Sequence, residues 1–456
     1  MKITIIGAGS RRFGPLTVRD ILLSDILTGQ DLTLMLMDID EQGLADVHRS
    51  TVDVIDRLGR DRVTVSSTTD LDEAVSGSDF VLSALERSRY LYWSQDFHVP
   101  RQNGFAQING ENGGPGGMFH ALRNFGPVLN VVRAMERECP DAWFLSFTNP
   151  EAKIGEAINR LTSIKTAGLC HGQTAAERQV GKFLGIPVEE MSFVAAGLNH
   201  FTWFQSIRLR STGEDLYPAL RERERRAHWL ADWDEIALSR ILFRTFGLYP
   251  SPGTNHHGEY LGWAEEFLAA SRFQYFYDPA EGHPWDEGRF PPRVYNMHTV
   301  PATVPMFPTE ELLLFEPDVK GLDADAPLEK TNSLVVPLIE GMVAGGPLLS
   351  DPINIPNRGA ISGLPDDAIV EVPVTVDRDG VHRQELEPFP EGILALLRTQ
   401  FSINELLVEA YVEESRNKLL QAVLLDPTTQ SYRGAVNTID QLCELQKDVL
   451  PPLRWA

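Results

Sequence analysis

Two short segments of this chain pair a residue able to hold a metal with a polar neighbour. Gly168-Leu169-Cys170-His171-Gly172 stands at the end of a strand-like run, and Gly197-Leu198-Asn199-His200 lies downstream of it. A thiolate and an imidazole can jointly hold a borderline divalent cation, and two protein ligands leave coordination positions for substrate oxygens and water. Neither spacing is a zinc signature, so Cys170 also reads as a small buried hydrophobe and His200 as a structural histidine. A third segment, Thr254-Asn255-His256-His257-Gly258-Glu259-Tyr260, concentrates titratable groups. A tyrosine with its ordinary pKa of about 10 is a poor base at neutral pH. A neighbouring metal or dinucleotide cation would lower that value; without one, Tyr260 is an amphipathic interface residue.

Three further segments suit ligand binding. Asn109-Gly110-Glu111-Asn112-Gly113-Gly114-Pro115-Gly116-Gly117 gathers glycines that expose backbone amides and admit a ligand closely, or that form a flexible surface loop. Asn149, in Thr148-Asn149-Pro150-Glu151, can donate and accept toward sugar hydroxyls, or cap the helix that begins at Pro150. Gly7-Ala8-Gly9-Ser10, with Arg11 beyond it, lies between the first strand-like run and a helical pattern. Glycines there let the backbone approach a pyrophosphate seated on the helix N-terminus. Asp38 ends the second strand, where a carboxylate accepts both ribose hydroxyls and repels a 2′-phosphate, favouring NAD over NADP. The fingerprint is incomplete: Arg12 stands where the third glycine should fall, and Gly14 comes two residues late.

These residues need elements to hold them. Residues 2–6, 32–37, 63–66, 80–84, 143–147 and 165–169 read as strands. Helical spacing covers 15–27, 41–58, 128–138 and 151–161, and a helix can start in 69–74. That alternation predicts an α/β fold: an N-terminal Rossmann-type, doubly wound sheet, with Asn149 and Cys170 at the C-terminal ends of its strands. After about residue 200 the pattern changes to antiparallel-looking strands at 203–210 and 369–376 and long helices at 403–425 and 432–447, with Pro-rich connectors at 284–308 and 347–356. The expected division is therefore a dinucleotide-binding domain over 1–198 and an α+β substrate and oligomerisation domain over 199–456.

The formal net charge of −23 over 456 residues repels phosphate backbones and anionic membranes, so nucleic acid and membrane partners are not expected. Arg221 to Arg226, interleaved with Glu222 and Glu224, reads as a solvated helix face. An odd, sparse set of cysteines (Cys139, Cys170 and Cys443) fits a reducing compartment better than a disulfide framework. The first apolar run is too short for a signal peptide, and no stretch of about 20 apolar residues exists for a membrane span. A cytoplasmic protein is expected.

The ordered series of motifs resembles glycoside hydrolase family 4. It comprises Gly7 to Ser10, Gly116-Gly117 with Ala121-Leu122-Arg123, Asn149-Pro150, Cys170-His171, Asn199-His200, and His256 through Tyr260. Pro356-Asn357-Arg358-Gly359-Ala360-Ile361, Leu364-Pro365 and Val370-Glu371-Val372-Pro373 complete it. That NAD-dependent family stands outside the two-carboxylate mechanism of most glycosidases. The resemblance implies a fold like that of lactate and malate dehydrogenases, and a redox elimination. Hydride passes from C3 of the sugar to NAD⁺, and the resulting ketone acidifies the proton on C2. A base removes that proton, the enolate expels the glycosidic oxygen at C1, water adds, and the hydride returns to C3. Mn²⁺, or another divalent metal, would chelate O2 and O3 as a Lewis acid. By motif match Cys170 and His200 hold the metal, Tyr260 takes the C2 proton, and Asn149 binds sugar hydroxyls. Glu111 joins the catalytic set, and Arg87, Arg123 and His256 the substrate contacts. The resemblance also implies a homo-oligomer, a dimer or a tetramer.

One departure bears on the substrate. Members acting on 6-phosphorylated sugars resemble Cys-Asp-x-Pro at the metal cysteine, where the aspartate is a candidate leaving-group acid. Here the segment is Cys170-His171-Gly172-Gln173. Either His171 serves as the acid or another group does. The Cys-His-Gly form resembles the branch acting on non-phosphorylated α-glycosides, most of all its α-galacturonidases and α-glucuronidases. A C6 carboxylate would want a bidentate arginine, for which Arg87, Arg89, Arg101 and Arg123 are candidates. A neutral or sulfonated hexose is the alternative. Two other readings are a lactate/malate-type dehydrogenase, which would release NADH stoichiometrically, and a non-catalytic dinucleotide sensor.

Overall fold

The computed structural model describes residues 1–10, 12–170, 172–227, 236–267, 273–276, 284–288, 293–296, 307–308, 322, 328–331, 333–345 and 348–456. Arg11 and His171, expected at the dinucleotide and acid positions, lie outside the described residues, as does much of the Pro-rich 284–308 connector.

Six parallel strands form the first half of a sheet: β1 (Lys2–Ile6), β2 (Leu32–Met37), β3 (Val63–Thr68), β4 (Phe80–Ser83), β5 (Trp143–Ser146) and β6 (Lys165–Gly168). Their order is β3-β2-β1-β4-β5-β6, the doubly wound arrangement whose direction reverses between β1 and β4. Successive side chains point to opposite faces, and both faces are apolar because both are covered. Ile3, Ile5, Leu34 and Leu36 pack with Val18, Ile21, Leu44 and Val47 from the helices Phe13–Leu22 and Glu41–Leu58. Ile6, Met35, Met37 and Val81 pack on the other face with Phe119, Leu122, Ile154 and Ile158 from Gly114–Glu138 and Glu151–Leu161. Glu41–Leu58 has the expected bounds because its signals are local: Asp40 caps it by accepting Gln42 N (3.2 Å), and Gly59 ends it with a left-handed φ of 59°.

Three departures from expectation are informative. The glycine-rich stretch is a loop only as far as Gly113; Gly114–Glu138 is one long helix, with Pro115 in its first turn, where proline's missing N–H costs nothing. A helix at Arg89–Gln102 precedes it; its hydrophobic periodicity is weak because it packs on several neighbours at once. The helix expected over 403–425 is two, Glu391–Val412 and Arg416–Leu425, broken where Glu414 turns left-handed (φ 52°) and Ser415 accepts Lys418 N (3.3 Å).

The sheet continues with antiparallel strands. These are β7 (Met191–Leu198), β8 (Phe201–Leu209) and β9 (Tyr249–Ser251), and, after a separate small sheet of β10 (Phe273–Phe276), β11 (Arg293–Asn296) and β12 (Phe307–Pro308), β13 (Leu348–Pro356), β14 (Ile369–Asp377) and β15 (Gly380–Arg383). From β6 the order runs β13-β14-β7-β8-β9, with β15 on β14. Segments expected on either side of residue 198 thus share one sheet. Two joins in it rest on single pairings, Asn354 with Gly168 and Glu371 with Gly197. No helix among the described residues is long and apolar enough to cross a membrane.

The C-terminal helices return to the first half. Ile403, Leu407, Leu419, Val423, Ile439 and Leu442 pack with Phe125, Leu129 and Val132. At their centre Arg123, 2% exposed, makes a bidentate pair with Asp96 (3.0 and 2.7 Å) and also donates to Gln446 (2.8 Å), just past the helix Tyr432–Leu445. Replacing Arg123 by Met strands a buried carboxylate and is expected to cost about 3–5 kcal/mol of stability in denaturant unfolding. A loss below about 1 kcal/mol would show that Asp96 finds another partner or is not ionised.

Candidate active site

The dinucleotide end forms where β1 and β2 stop. Gly7 N and Ala8 N both donate to Met37 O (2.9 and 3.0 Å), drawing the glycine turn against Asp38. Asp38 accepts Gly9 N through Oδ2 (2.8 Å) and Asp40 N through Oδ1 (3.0 Å), which fixes its half-buried carboxylate while each oxygen keeps a lone pair free. Ser10 Oγ accepts Gly14 N (3.0 Å) at the start of the helix. Gly14, late by the fingerprint, fulfils the third glycine's function: a Cβ there would stand 1.8 Å from Ala8 O, so only glycine lets the helix sit against the strand exit. Ile39, 84% exposed, leaves an apolar face beside Asp38.

The second end lies at the two thin joins of the sheet. Cys170 follows β6 two residues past Gly168, and its sulfur meets the side chain of Asn199. Asn199 Nδ2 donates to Glu371 Oε2 (2.9 Å), and Asn199 Oδ1 is buried with no hydrogen-bond partner. His200 occupies the two-residue turn between β7 and β8 with φ 63°, a conformation that costs a non-glycine residue of order 1–3 kcal/mol. Its Nδ1 is likewise buried and without a partner, and its ring stands 4.1 Å from that of His256. Burial, and then Glu371, push the Cys170 thiol up to about 12. Burial lifts Glu371 to about 7 against the pull of Asn199 and His200. Glu151, which accepts Ser146 Oγ (3.0 Å) and faces Cys170 and Glu371, is held by burial well above the usual carboxyl range. Cys170 and Glu371, with Arg12, Phe13, Phe147 and Gln173, line a cleft of about 1120 Å³, ample for a small ligand.

Unpartnered Nδ1 of His200 and Oδ1 of Asn199, beside a thiol and a carboxyl, form a mixed S/N/O donor set that suits a borderline cation. Among the described residues one trio, His200, His256 and Glu259, has ligand atoms within 4.8 Å of one another, and Cys170 is not in it. Glu259 has little to give a metal: its carboxylate accepts Glu111 N (3.0 Å), Asn112 N (2.6 Å), Gly113 N (2.8 Å) and Asn109 Nδ2 (3.0 Å).

That arrangement corrects the reading of the glycine-rich segment. Residues 109–117 are buried, their amides at 111–113 point at Glu259, and Gly116 N points at Gln107 Oε1 (2.9 Å), so none of these amides is offered to a ligand. What the segment does present is the Glu111 side chain. Its carboxylate pairs with Arg89 (2.5 Å) and receives Asn149 Nδ2 (3.5 Å). Burial opposes its ionisation, but Arg89, His200 and His120 outweigh burial and hold it at about 2. His120 spans Glu111 O (2.8 Å) and Glu86 Oε2 (2.8 Å). Asn149 does not cap the following helix; Pro150 is the N-cap, and the Asn149 carbonyl accepts Asn124 Nδ2 (2.9 Å).

Other expected site residues fare differently. Arg123 is spent on Asp96 and Gln446, so it cannot read a substrate carboxylate. Arg101 serves Glu265 and the Gln107 carbonyl, and Arg89 serves Glu86 and Glu111 while lying over Trp93 (4.5 Å). Arg87 is exposed on the loop after β4, its guanidinium without a partner among the described residues. The His256 side chain is 24% exposed beside His200, whereas His257 is sealed between the carbonyls of Gly253 and Thr202, burial bringing its pKa down to about 3. Tyr260 is 2% exposed, its ring tilted against that of Phe201 at 4.8 Å and its hydroxyl donating to Asn199 O (3.3 Å). Burial, then Glu259, Asp426, Glu111 and Glu371, hold its pKa well above 10, an environment that opposes the phenolate a base role requires. Sequence reasoning gave no role to Glu259, His120 or Glu371. Glu371 had a legible signal, an acid inside the apolar run of β14; His120 had none.

Comparisons agree with this geometry. A model described as family 4 glycosyl hydrolase matches residues 2–186, and one described as family 4 glycosyl hydrolase C-terminal domain matches 195–429. An alpha-glucosidase of Erwinia rhapontici is 29% identical and an alpha-galactosidase of Bacillus subtilis (strain 168) 28% identical, each over 99% of both chains. The structure of a 6-phospho-alpha-glucosidase from gut microorganisms in complex with NAD and Mn²⁺ shares the fold with a TM-score of 0.72, at 22% identity over 99% of each chain. A glycine turn beside Asp38, a thiol and an imidazole at the strand ends, and two family models spanning nearly the whole chain lead to one assignment: this protein is a glycoside hydrolase belonging to glycosyl hydrolase family 4.

Proposed function

We propose that this chain is an NAD- and divalent-metal-dependent glycosidase that cleaves α-glycosides of a hexose bearing no 6-phosphate. The observation that carries the reading is the Cys170–Asn199–Glu371 contact, with unpartnered His200 Nδ1 beside it, in a sheet whose β1–β2 crevice holds the Asp38 cradle. NAD and Mn²⁺ in the 6-phospho-alpha-glucosidase of the same fold support the cofactors. The alpha-glucosidase and alpha-galactosidase relatives support the anomeric preference, and His171 in place of aspartate supports the missing phosphate.

When bound, the nicotinamide would accept and return a hydride at C3 while the cation, Mn²⁺ or a similar ion, polarises the oxygens on C2 and C3. Asp38 would accept the ribose hydroxyls, and Ile39 would offer adenine an apolar face. Cys170 and His200 would hold the cation, with Asn199 Oδ1 aimed at the same space. Glu111, ionised throughout the neutral range, is an acceptor only; with Asn149 it suits gripping sugar hydroxyls. Tyr260 braces Asn199 through its carbonyl.

Release of nitrophenol from nitrophenyl α-glucoside or α-galactoside should require both NAD⁺ and Mn²⁺ and leave no net NADH. Stoichiometric NADH would point to a dehydrogenase, and cofactor-independent release to an ordinary hydrolase. Cys170→Ser should abolish turnover while NAD⁺ affinity, followed by fluorescence titration, stays unchanged; undiminished turnover would remove the sulfur from the metal site.

A second reading, a uronide substrate, is favoured by Arg87, the one of the four candidate arginines whose guanidinium has no partner among the described residues. On that reading Arg87→Ala raises KM for an α-galacturonide or α-glucuronide by about 10- to 100-fold, a charged hydrogen bond's worth, and leaves neutral hexosides alone. Equal effects on both, or no uronide turnover, would reject it.

A further inference from the structure

We infer that Glu259 is a positioning residue for the reaction: its carboxylate gathers the Asn109–Gly113 turn and thereby aims Glu111 at Arg89 and Asn149. The inference rests on the functional reading above, in which Glu111 grips the substrate. Glu259 is 1% exposed, and both its oxygens are engaged. Oε2 accepts three consecutive backbone amides, those of Glu111, Asn112 and Gly113, and Oε1 accepts Asn109 Nδ2. Convergent successive amides are how proteins cradle an external anion; here the chain supplies the anion itself. The approach demands glycine at 113, since a Cβ there would stand 2.5 Å from Glu259 O and 2.7 Å from Glu259 Cβ.

The turn is held from its other sides as well. Lys153 Nζ, buried, donates to Asn112 O (2.8 Å), and His120 Nδ1 pairs with Glu111 O (2.8 Å). The nitrogen of Glu111, its carbonyl and the next carbonyl each have a fixed partner, so the backbone from which the Glu111 side chain extends is held on every side. Two neighbours of Glu259 in sequence face the other wall: His256 against His200, and Tyr260 under Asn199. A single carboxylate therefore sets the distance between the Glu111 wall and the His200 wall. A misplacement of about 1 Å at a reacting group can cost of order 100-fold in rate.

The test uses the NAD⁺- and Mn²⁺-loaded enzyme on whichever nitrophenyl α-glycoside it cleaves. Glu259→Ala should lower kcat about 100-fold, with KM and NAD⁺ affinity little changed. Glu259→Gln keeps an oxygen for the three amides, and its NH₂ can donate to Asn109 once that amide flips, so it should recover most of the rate. In a Glu111→Gln background Glu259→Ala should cost less than about twofold more, because its effect runs through Glu111. If Glu259→Ala does not fold, Glu259→Gln against Glu259→Asp, whose shorter arm withdraws from the amides, decides: a fast Asp variant or a dead Gln variant overturns the proposal. Additive losses in the double variant would also overturn it, by making Glu259 act independently of Glu111. A Glu111→Gln enzyme of undiminished rate would instead refute the role given to Glu111 itself.

Discussion

The structure depends on a seam. A parallel half-sheet and an antiparallel half-sheet meet at β6, β13, β14 and β7, and at two places the join is one residue wide: Asn354 with Gly168, Glu371 with Gly197. A sheet so thinly paired leaves polar backbone near the core, and such groups must be satisfied. Side chains make up part of the deficit. Asn354 Nδ2 donates to Gly168 O (3.3 Å), and Asn199 Nδ2 bridges to Glu371. The polar groups that close the seam are the ones that border the metal candidates, Cys170 just past Gly168 and His200 just past Gly197. Site and seam are one feature, because only where strands end or change direction can side chains from distant segments point into a common space.

Acids crowd this region, and each is accommodated by a different means. Glu111 is neutralised by Arg89, Asp96 by Arg123, and Glu259 by four N–H donors. Burial nevertheless raises Asp96 and Glu259 above the ordinary carboxyl range, as it does Glu151 and Glu371, which have fewer donors. These are the ways in which a protein can bury a carboxyl. They differ in consequence: the paired acids are fixed in geometry, whereas Glu151 and Glu371 adjoin the Cys170 thiol.

How much of this was legible in sequence follows from the range of each interaction. The strands β1 to β6 and the helix Glu41–Leu58 were readable because apolar periodicity and caps lie within a few residues of what they determine. Cys170 and His200 could be named as metal candidates because thiol and imidazole chemistry belongs to the residue type and needs no partner to be read. The glycine-rich segment was misread because the partner of its amides, Glu259, lies about 150 residues later. Arg123 looked available because nothing local announces Asp96, and Gln446 comes from the far end of the chain. For Tyr260 the sequence gives the neighbours but not the burial. Local signals name elements; a buried polar side chain is defined by a partner that local signals do not contain.

The distribution of charge also bears on how a glycosidic bond could break here. Two-carboxylate hydrolysis needs an acid that begins protonated and can reach the leaving oxygen, facing a second carboxylate across the sugar. Glu111 cannot begin protonated, with Arg89, His200 and His120 holding it at about 2. Glu259 is enclosed by its own amides, and Glu151 is 2% exposed behind Ser146. Glu371 lines the cleft, but it is tied to Asn199 and adjoins the thiol. Of these four acids Glu371 alone both lines the cleft and is pushed toward the protonated form, and Asn199 holds it beside the thiol. The wider site adds an acceptor at Glu111, donor atoms without hydrogen-bond partners at Asn199 and His200, and a glycine turn against Asp38, the groups on which the proposed redox route would draw.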